Sequence, residues 1–336
     1  MKRVAAVVLL ALGLAACGEK RETITPTAAH PQALTLMLDW VPNADHVGIF
    51  QALEEGDFTR AALNVHVQTP SDPASPLELL AAGRVDVAIS YEPEVLLARN
   101  RGIPVVSVAA IVQQPLTSIV SVGSAHIGKV SDLRGKKVGD AGIPYQHAYL
   151  ETVLAHAGVP PSSVTEINVG ANLVPAMLSR RVSATLGAYW NYEAIQLALD
   201  HKKPHVIRME QVGVPTYDEL VVAVRKSTLI EHPDEIRRFV QALARGYESA
   251  RQNPQGAVRN LVSANPDAGL DPKLQLASVQ ATLSAFFPSN PAEPWGWQDP
   301  AEWNAYGAWM LREHLISNPN AAIAASTNEL LAGRGI

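Results

Sequence analysis

Cysteine is nearly absent from this 336-residue chain. Cys17 is the only one, which excludes internal disulfides and any metal cluster built on cysteine. Runs of basic residues are missing too. The 27 Lys and Arg are outnumbered by 32 Asp and Glu, so a surface for nucleic-acid phosphates is not expected. There is no Gly-x-Ser-x-Gly elbow and no His-Glu-x-x-His pair. The stretch GSAHIGKV (123–130) approaches a phosphate loop, but Val130 stands where Ser or Thr should hold magnesium, and no clear helix follows. His201 and His205 are four apart with Pro204 between them, which argues for a solvated loop over a helical metal pair. No metal, cofactor or catalytic role is expected on these grounds.

What is present begins at the N-terminus. Met1, Lys2 and Arg3 form a basic head, and residues 4–14 an apolar core too short to span a membrane as a mature helix. The next residues, LAAC (14–17), resemble a bacterial lipobox. The expectation is a signal peptide at 1–16, lipidation at Cys17, and a polar tether over 17–32 containing Pro26 and Pro31. Loss of 1–16 removes Lys2 and Arg3 and leaves the net charge near −7. The remaining 300-odd residues exceed one ordinary core and suggest two domains.

From residue 34 the pattern alternates strand and helix. Residues 34–38, 63–67, 85–89 and 104–110 read as strands. Helices are expected after Asn43 or Asp45, after a capping box at SPLE (75–78), and over 92–100. Gly56, Gly83 and Gly102 are placed to end them. A second α/β set follows Ser118, with strands at 137–139, 166–169 and 184–188 and a helix at 145–157. After a strand at 219–224 the chain becomes amphipathic helices, including 233–251 and 300–315. This order suits a chain that passes to a second lobe near 115–121 and returns near 217–222.

Ligands of open α/β sheets sit beyond the carboxyl ends of the strands. Asp39, Trp40 and Tyr91 follow predicted strands there, as do Tyr189 and Trp190, and Gln114 lies just beyond another. The segment DWVPNADH (39–46) crowds a carboxylate, an indole, an amide and an imidazole before a helix. The second cluster, YWNYE (189–193), mixes three aromatic rings with Asn191 and Glu193; Tyr192 is read as core. Such a slot would hold a flat, nitrogen-rich ring by stacking, with Asn and Glu reading its donor and acceptor edge. WGW (295–297) is read as packing over the rim.

The segments LDWVPNADHVGIFQA, ISYEPEVLLARNRGIPVVSVAAIVQQPLTSIVS, LGAYWNYEAIQL, VPTYDELVVA and GWQDPAEWNAYGAWM resemble bacterial ABC-transporter substrate-binding lipoproteins for thiamine-pyrimidine precursors. The likeness runs in order from Leu34 to about Leu315. It implies an α/β type II periplasmic-binding fold: two lobes, two crossovers and a helical C-terminal region. Lobe 1 would comprise 33–117 plus 219–336 and lobe 2 118–218. It also implies a monomer anchored outside the cytoplasm through its lipid, with an ABC permease and ATPase as partners. The ligand implied is an N-formyl aminomethyl pyrimidine. Trp40 and either Tyr189 or Trp190 are expected to stack on the ring, and Glu193 and Asn43 to hydrogen-bond its edge. Asp39, His46, Tyr91, Gln114 and Tyr145 are expected as further contacts.

The same superfamily contains an enzyme that makes the thiamine pyrimidine from pyridoxal phosphate and one of its own histidines. Where the resemblance places that enzyme's lysine, after GRVDVAI, this chain has Ser90; Glu94 stands at the histidine position, and residues 215–220 carry none of its cysteines. A Schiff base needs an amine and the iron motif needs thiols, so no enzymatic activity is expected. The enzyme's phosphate cradle corresponds to DAGIPY (140–145), where Asp140 repels an anion and Pro144 lacks an amide hydrogen. An unphosphorylated ligand follows. A riboflavin binder of the same fold remains an alternative. A sulfonate, taurine or nitrate binder would need Arg or clustered amides, and no Arg falls in either aromatic cluster.

Overall fold

The computed structural model describes residues 26–72 and 75–333; the lipobox, Cys17 and most of the tether lie outside them. Ten strands form two five-stranded mixed sheets. They are β1 (Gln32–Met37), β2 (Leu63–Gln68), β3 (Val87–Ser90), β4 (Val105–Val112) and β5 (Thr117–Val122), followed by β6 (Lys137–Asp140), β7 (Thr165–Asn168), β8 (Ala184–Tyr189), β9 (Pro204–Arg208) and β10 (Leu220–Arg225). The first sheet has the order β2-β1-β3-β10-β4 and the second β7-β6-β8-β5-β9.

The two sheets repeat one plan. In the first, β1 runs parallel to β2 and β3, and β10 lies antiparallel between β3 and β4. In the second, β6 runs parallel to β7 and β8, and β5 lies antiparallel between β8 and β9. The antiparallel strand of each sheet is the one the chain enters on crossing from the other sheet, β4 to β5 and β9 to β10. The apolar runs behave as doubly covered strands should: every residue of β3 and of β4 is buried.

Most sequence-derived elements recur within two or three residues, but three readings need correction. Thr117–Val122 is a fully formed strand, not only a crossing segment. His205 lies on β9, an edge strand whose single buried residue and leading proline hide any period-two signal. Ser75 does not cap its helix: its backbone is already helical and its hydroxyl donates to the Asp72 carbonyl at 2.6 Å. Pro76 nonetheless opens that helix, Pro76–Ala81.

The C-terminal helices start on a shared device. Those at Pro254–Ala264, Pro272–Thr282 and Pro300–Arg312 each begin with proline behind Asn253, Asp271 or Asp299, whose side chains accept the first free amide hydrogens. The long helix Pro233–Gln252 packs on Val47–Glu54 through a close approach. A Cβ added at Gly246 would sit 2.1 Å from the Gly48 carbonyl oxygen, and one at Gly48 would enter the Tyr247 ring. Helix Pro300–Arg312 carries an aromatic cluster towards the second sheet. The Tyr306 ring packs tilted at 4.9 Å from Tyr217 and that of Trp309 at 5.6 Å from Tyr149, and the Tyr149 and Tyr306 hydroxyls meet at 2.6 Å.

Candidate functional site

A cavity opens between the carboxyl ends of the strands of both sheets. From the turn after β1 come Asp39, Trp40, Val41, Asn43 and Asp45, and from the end of β3 comes Tyr91. The second sheet supplies Thr117, Tyr145, Gln146, Tyr189, Tyr192 and Glu193, with Ala141, Ile143, Leu173 and Gly187 completing the wall.

The turn after β1 braces itself. Asn43 caps the short 3-10 turn Ala44–His46, its Oδ1 accepting from the Asp45 amide at 2.8 Å. The Asn43 amide donates to His46 Nδ1 at 3.2 Å. That leaves the proton of a neutral imidazole on Nε2, which lies 2.7 Å from Asp39 Oδ1. The other Asp39 oxygen accepts from the Tyr91 hydroxyl at 2.8 Å. Burial and the Asp39 charge push the Tyr91 phenol well above its usual range, so it stays a donor. Asp39 is thereby fixed by one donor on each oxygen before any ligand arrives.

Two further carboxyl groups face the cavity. Burial pushes Asp45 well above the usual carboxylate range, with the Asp39 charge adding to it and a hydrogen bond from Asn191 opposing. Burial also raises Glu193, against a bond from the Tyr189 amide to its Oε2 at 2.7 Å. Among the described residues, no Lys or Arg lines the cavity. The arrangement can stack a planar ring and offer carboxyl oxygens to the hydrogen-bond donors on its edge, at a site unsuited to anions.

The loop after β6 strengthens that exclusion. Asp140 Oδ1 accepts from the Gly142 amide at 2.7 Å and Gln146 Oε1 from the Ala141 amide at 2.8 Å. The amides a phosphate would need are occupied by the protein's own oxygens. Gly142 holds a φ of +77°, and a Cβ there would sit 2.4 Å from Asn168 Nδ2.

Seven of the ten candidate ligand residues meet at this cavity: Asp39, Trp40, Asn43, Tyr91, Tyr145, Tyr189 and Glu193. Three do not. His46 is completely buried behind Asp39 and orients it. Trp190 turns away, donating from Nε1 to the Pro115 carbonyl at 2.9 Å, with the Arg208 guanidinium 4.1 Å above its ring. Gln114 lines a separate polar cleft with Gln113, Asp218 and Trp297. Asn191, read as facing a ligand, is buried and bonded to Asp45 and Thr282. Tyr192 was read as core but lines the cavity, its phenol oxygen accepting from Gln275 at 2.8 Å. Asp45 and Gln146 were missed, although both sit within four residues of recognised positions. At the end of β3, the Ser90 hydroxyl donates to Glu94 Oε2 at 3.0 Å, and no amine stands there.

A family model described as NMT1/THI5 like matches residues 43–257. A formylaminopyrimidine-binding protein of Halalkalibacterium halodurans is 32% identical over 325 residues, covering 95% of this chain and 96% of its own. A 4-amino-5-hydroxymethyl-2-methylpyrimidine phosphate synthase of Saccharomyces cerevisiae is 24% identical over 249 residues, 71% of this chain and 73% of its own. Among solved structures, the alkanesulfonate-binding protein SsuA of Xanthomonas axonopodis pv. citri superposes with a TM-score of 0.68 at 17% identity, covering 89% of this chain and 99% of that one. The fold is the two-sheet periplasmic-binding type.

Proposed function

The chain belongs to the NMT1/THI5-like family, and on that footing we propose that it is the extracytoplasmic solute-binding component of an ABC importer. Its ligand in this reading is a pyrimidine precursor of thiamine, of the N-formyl-4-amino-5-aminomethyl-2-methylpyrimidine type, held between a lobe of residues 33–117 plus 219–336 and one of 118–218. The observation that carries the proposal is the cavity itself: among the described residues it has aromatic walls, three carboxyl groups and no basic side chain.

An aminopyrimidine matches that wall group for group. Trp40 and Tyr189 offer faces for stacking. An exocyclic amine donates to Asp39 or Glu193, and a further N–H of the guest to Asp45. A sulfonate in the same place meets repulsion of ~3 kcal/mol from each ionised carboxylate about 6 Å away, at an effective dielectric constant near 20. Against the synthase reading stand Ser90 in place of an amine and the occupied amides of residues 141 and 142. Among the described residues no helix is long and apolar enough to cross a membrane; in this reading attachment rests on a lipid at Cys17, beside the permease and ATPase that receive the cargo.

Titration calorimetry with the formylaminopyrimidine, riboflavin and taurine tests the proposal. The expected result is a dissociation constant of about micromolar or tighter for the pyrimidine alone, or about −8 kcal/mol. Tight riboflavin binding with no heat from the pyrimidine transfers the site to the larger ring; tight taurine binding overturns the argument from charge.

A further inference from the structure

Beside the cavity mouth the two halves of the molecule are joined by a buried polar contact. Asn191 lies in the turn after β8, on the second-sheet side, and is completely buried. Its Nδ2 donates to Asp45 Oδ1 at 2.7 Å and to Thr282 Oγ1 at 2.7 Å, both on the first-sheet side. Thr282 passes its own hydroxyl hydrogen to the Ser278 carbonyl at 2.8 Å. One residue further along, Tyr192 accepts from Gln275 on the same helix, Pro272–Thr282. Two consecutive residues of one turn therefore grip one helix and the cap region of the opposite half.

Asp45 gives this contact its meaning. One carboxyl oxygen is bonded to Asn191, while the residue itself lines the ligand cavity. Its main-chain carbonyl is held by the Tyr247 hydroxyl at 2.6 Å, so the group cannot retreat into its own half. The carboxyl stands among the acidic groups of the cavity, which no cationic side chain of the described residues lines. The contact is also incompletely satisfied: Asn191 Oδ1, Gln275 Oε1 and Ser278 Oγ are buried without hydrogen-bond partners. Alone, a contact of that kind holds the halves together for part of the time, because buried polar groups without partners weaken it without abolishing it. It gains when a donor on the guest occupies the second Asp45 oxygen.

Building on the reading of the cavity as the ligand site, we propose that Asp45 and Asn191 form the latch that couples occupancy to closure. Asp45 reads a hydrogen-bond donor on the guest with one oxygen and secures the opposing half with the other. Ligand recognition and retention then share one carboxyl, and a guest lacking a donor at that edge enters without locking the halves.

Asn191→Ala and Thr282→Val break the latch from opposite sides, so the test survives if one variant does not fold. The first arm uses no ligand: spin labels on exposed sites of the two halves, read by pulsed dipolar spectroscopy. Both variants are expected to lose the short inter-half distance that the wild type populates; superimposable distributions overturn the proposal. The second arm follows the formylaminopyrimidine by stopped-flow tryptophan fluorescence. Dissociation is expected to quicken at least tenfold while association changes less than threefold, the signature of a lock that engages after binding. Equal dissociation rates in variant and wild type overturn it. Failure of the wild type to bind the pyrimidine defeats the choice of ligand, while the first arm still decides the latch.

Discussion

Tyr189 and Glu219 tie the cavity to both crossings between the sheets: the Tyr189 phenol donates to Glu219 Oε1 at 3.3 Å. The same carboxylate accepts from the Leu116 and Thr117 amides at 2.6 and 2.8 Å, from the Thr117 hydroxyl at 3.0 Å and from the Tyr217 hydroxyl at 2.9 Å. Leu116 and Thr117 belong to the outgoing crossover, Tyr217 and Glu219 to the returning one. One buried side chain therefore fastens both connections and a cavity wall together. Glu219→Ala leaves these donors without an acceptor, and the expected loss is ~3 kcal/mol of stability by urea unfolding. An unchanged midpoint would show that water replaces the carboxylate at little cost.

The tryptophans of the two sequence clusters should behave differently. Trp40 lines the cavity, whereas Trp190 is engaged with Pro115 and Arg208. Trp40→Ala is expected to weaken pyrimidine binding by roughly 1–3 kcal/mol, the range for a lost aromatic–base stack. Trp190→Phe should leave the affinity within about threefold, since its indole contacts no ligand in this arrangement. Calorimetry on the two variants side by side decides the assignment, and equal losses would defeat it.

Helix packing gives a test independent of any ligand. The carbonyl of Gly48 lies where a Gly246 Cβ would have to go. Gly246→Ala must push the helices Val47–Glu54 and Pro233–Gln252 apart, at an expected cost of ~1–3 kcal/mol. Thermal unfolding measures it. Alanine's better helix propensity returns at most about 1 kcal/mol, so a more stable variant contradicts the close approach.

Stability should decline as the solution becomes more alkaline. Burial raises Glu94 from its ordinary value near 4.5 to about 7, and it raises Asp218 as well. In the unfolded chain both groups lose their protons near pH 4; in the folded protein they keep them further up the scale. The folded state then holds more protons than the unfolded one, so stability falls as pH rises from about 4.5 through 7. For Glu94 alone the fall ends just above 7. The melting temperature is expected to drop between pH 5 and pH 8, and Glu94→Gln with Asp218→Asn to flatten the slope. A melting temperature that rises over that range in the wild type would contradict the assigned environments.

Much of this architecture was legible in the residues. Strand runs such as VVSVAAIV and proline-led helices announce themselves locally, because a doubly covered strand is apolar throughout and a helix start uses recognisable capping residues. The cavity was legible at Asp39, Trp40 and Glu193 because strand ends are where such sheets bind. What the sequence hid was direction. Tyr189 and Trp190 are adjacent and chemically alike, yet opposite sides of one turn send the first to the cavity and the second to Pro115. Asp45 and Asn191 look like ordinary polar loop residues until the two halves are brought together, since their partnership spans 146 positions. His46 gave the right neighbourhood and the wrong layer. An imidazole bonded to a carboxylate reads the same in sequence whether it touches a guest or stands behind the group that does.

The placement of β10 between β3 and β4 bears on how the chain matures. Val87 pairs with Val224, and Val105 with Arg225, so the first sheet has a gap at its centre until translation has passed residue 225. Pairings between such distant positions form late and slowly. A shortened chain ending before β10 would leave two apolar strands with bare edges, a surface prone to self-association. The amino-terminal third is thus not an independent folding unit: its sheet is complete only once the strand at residues 220–225 has been made.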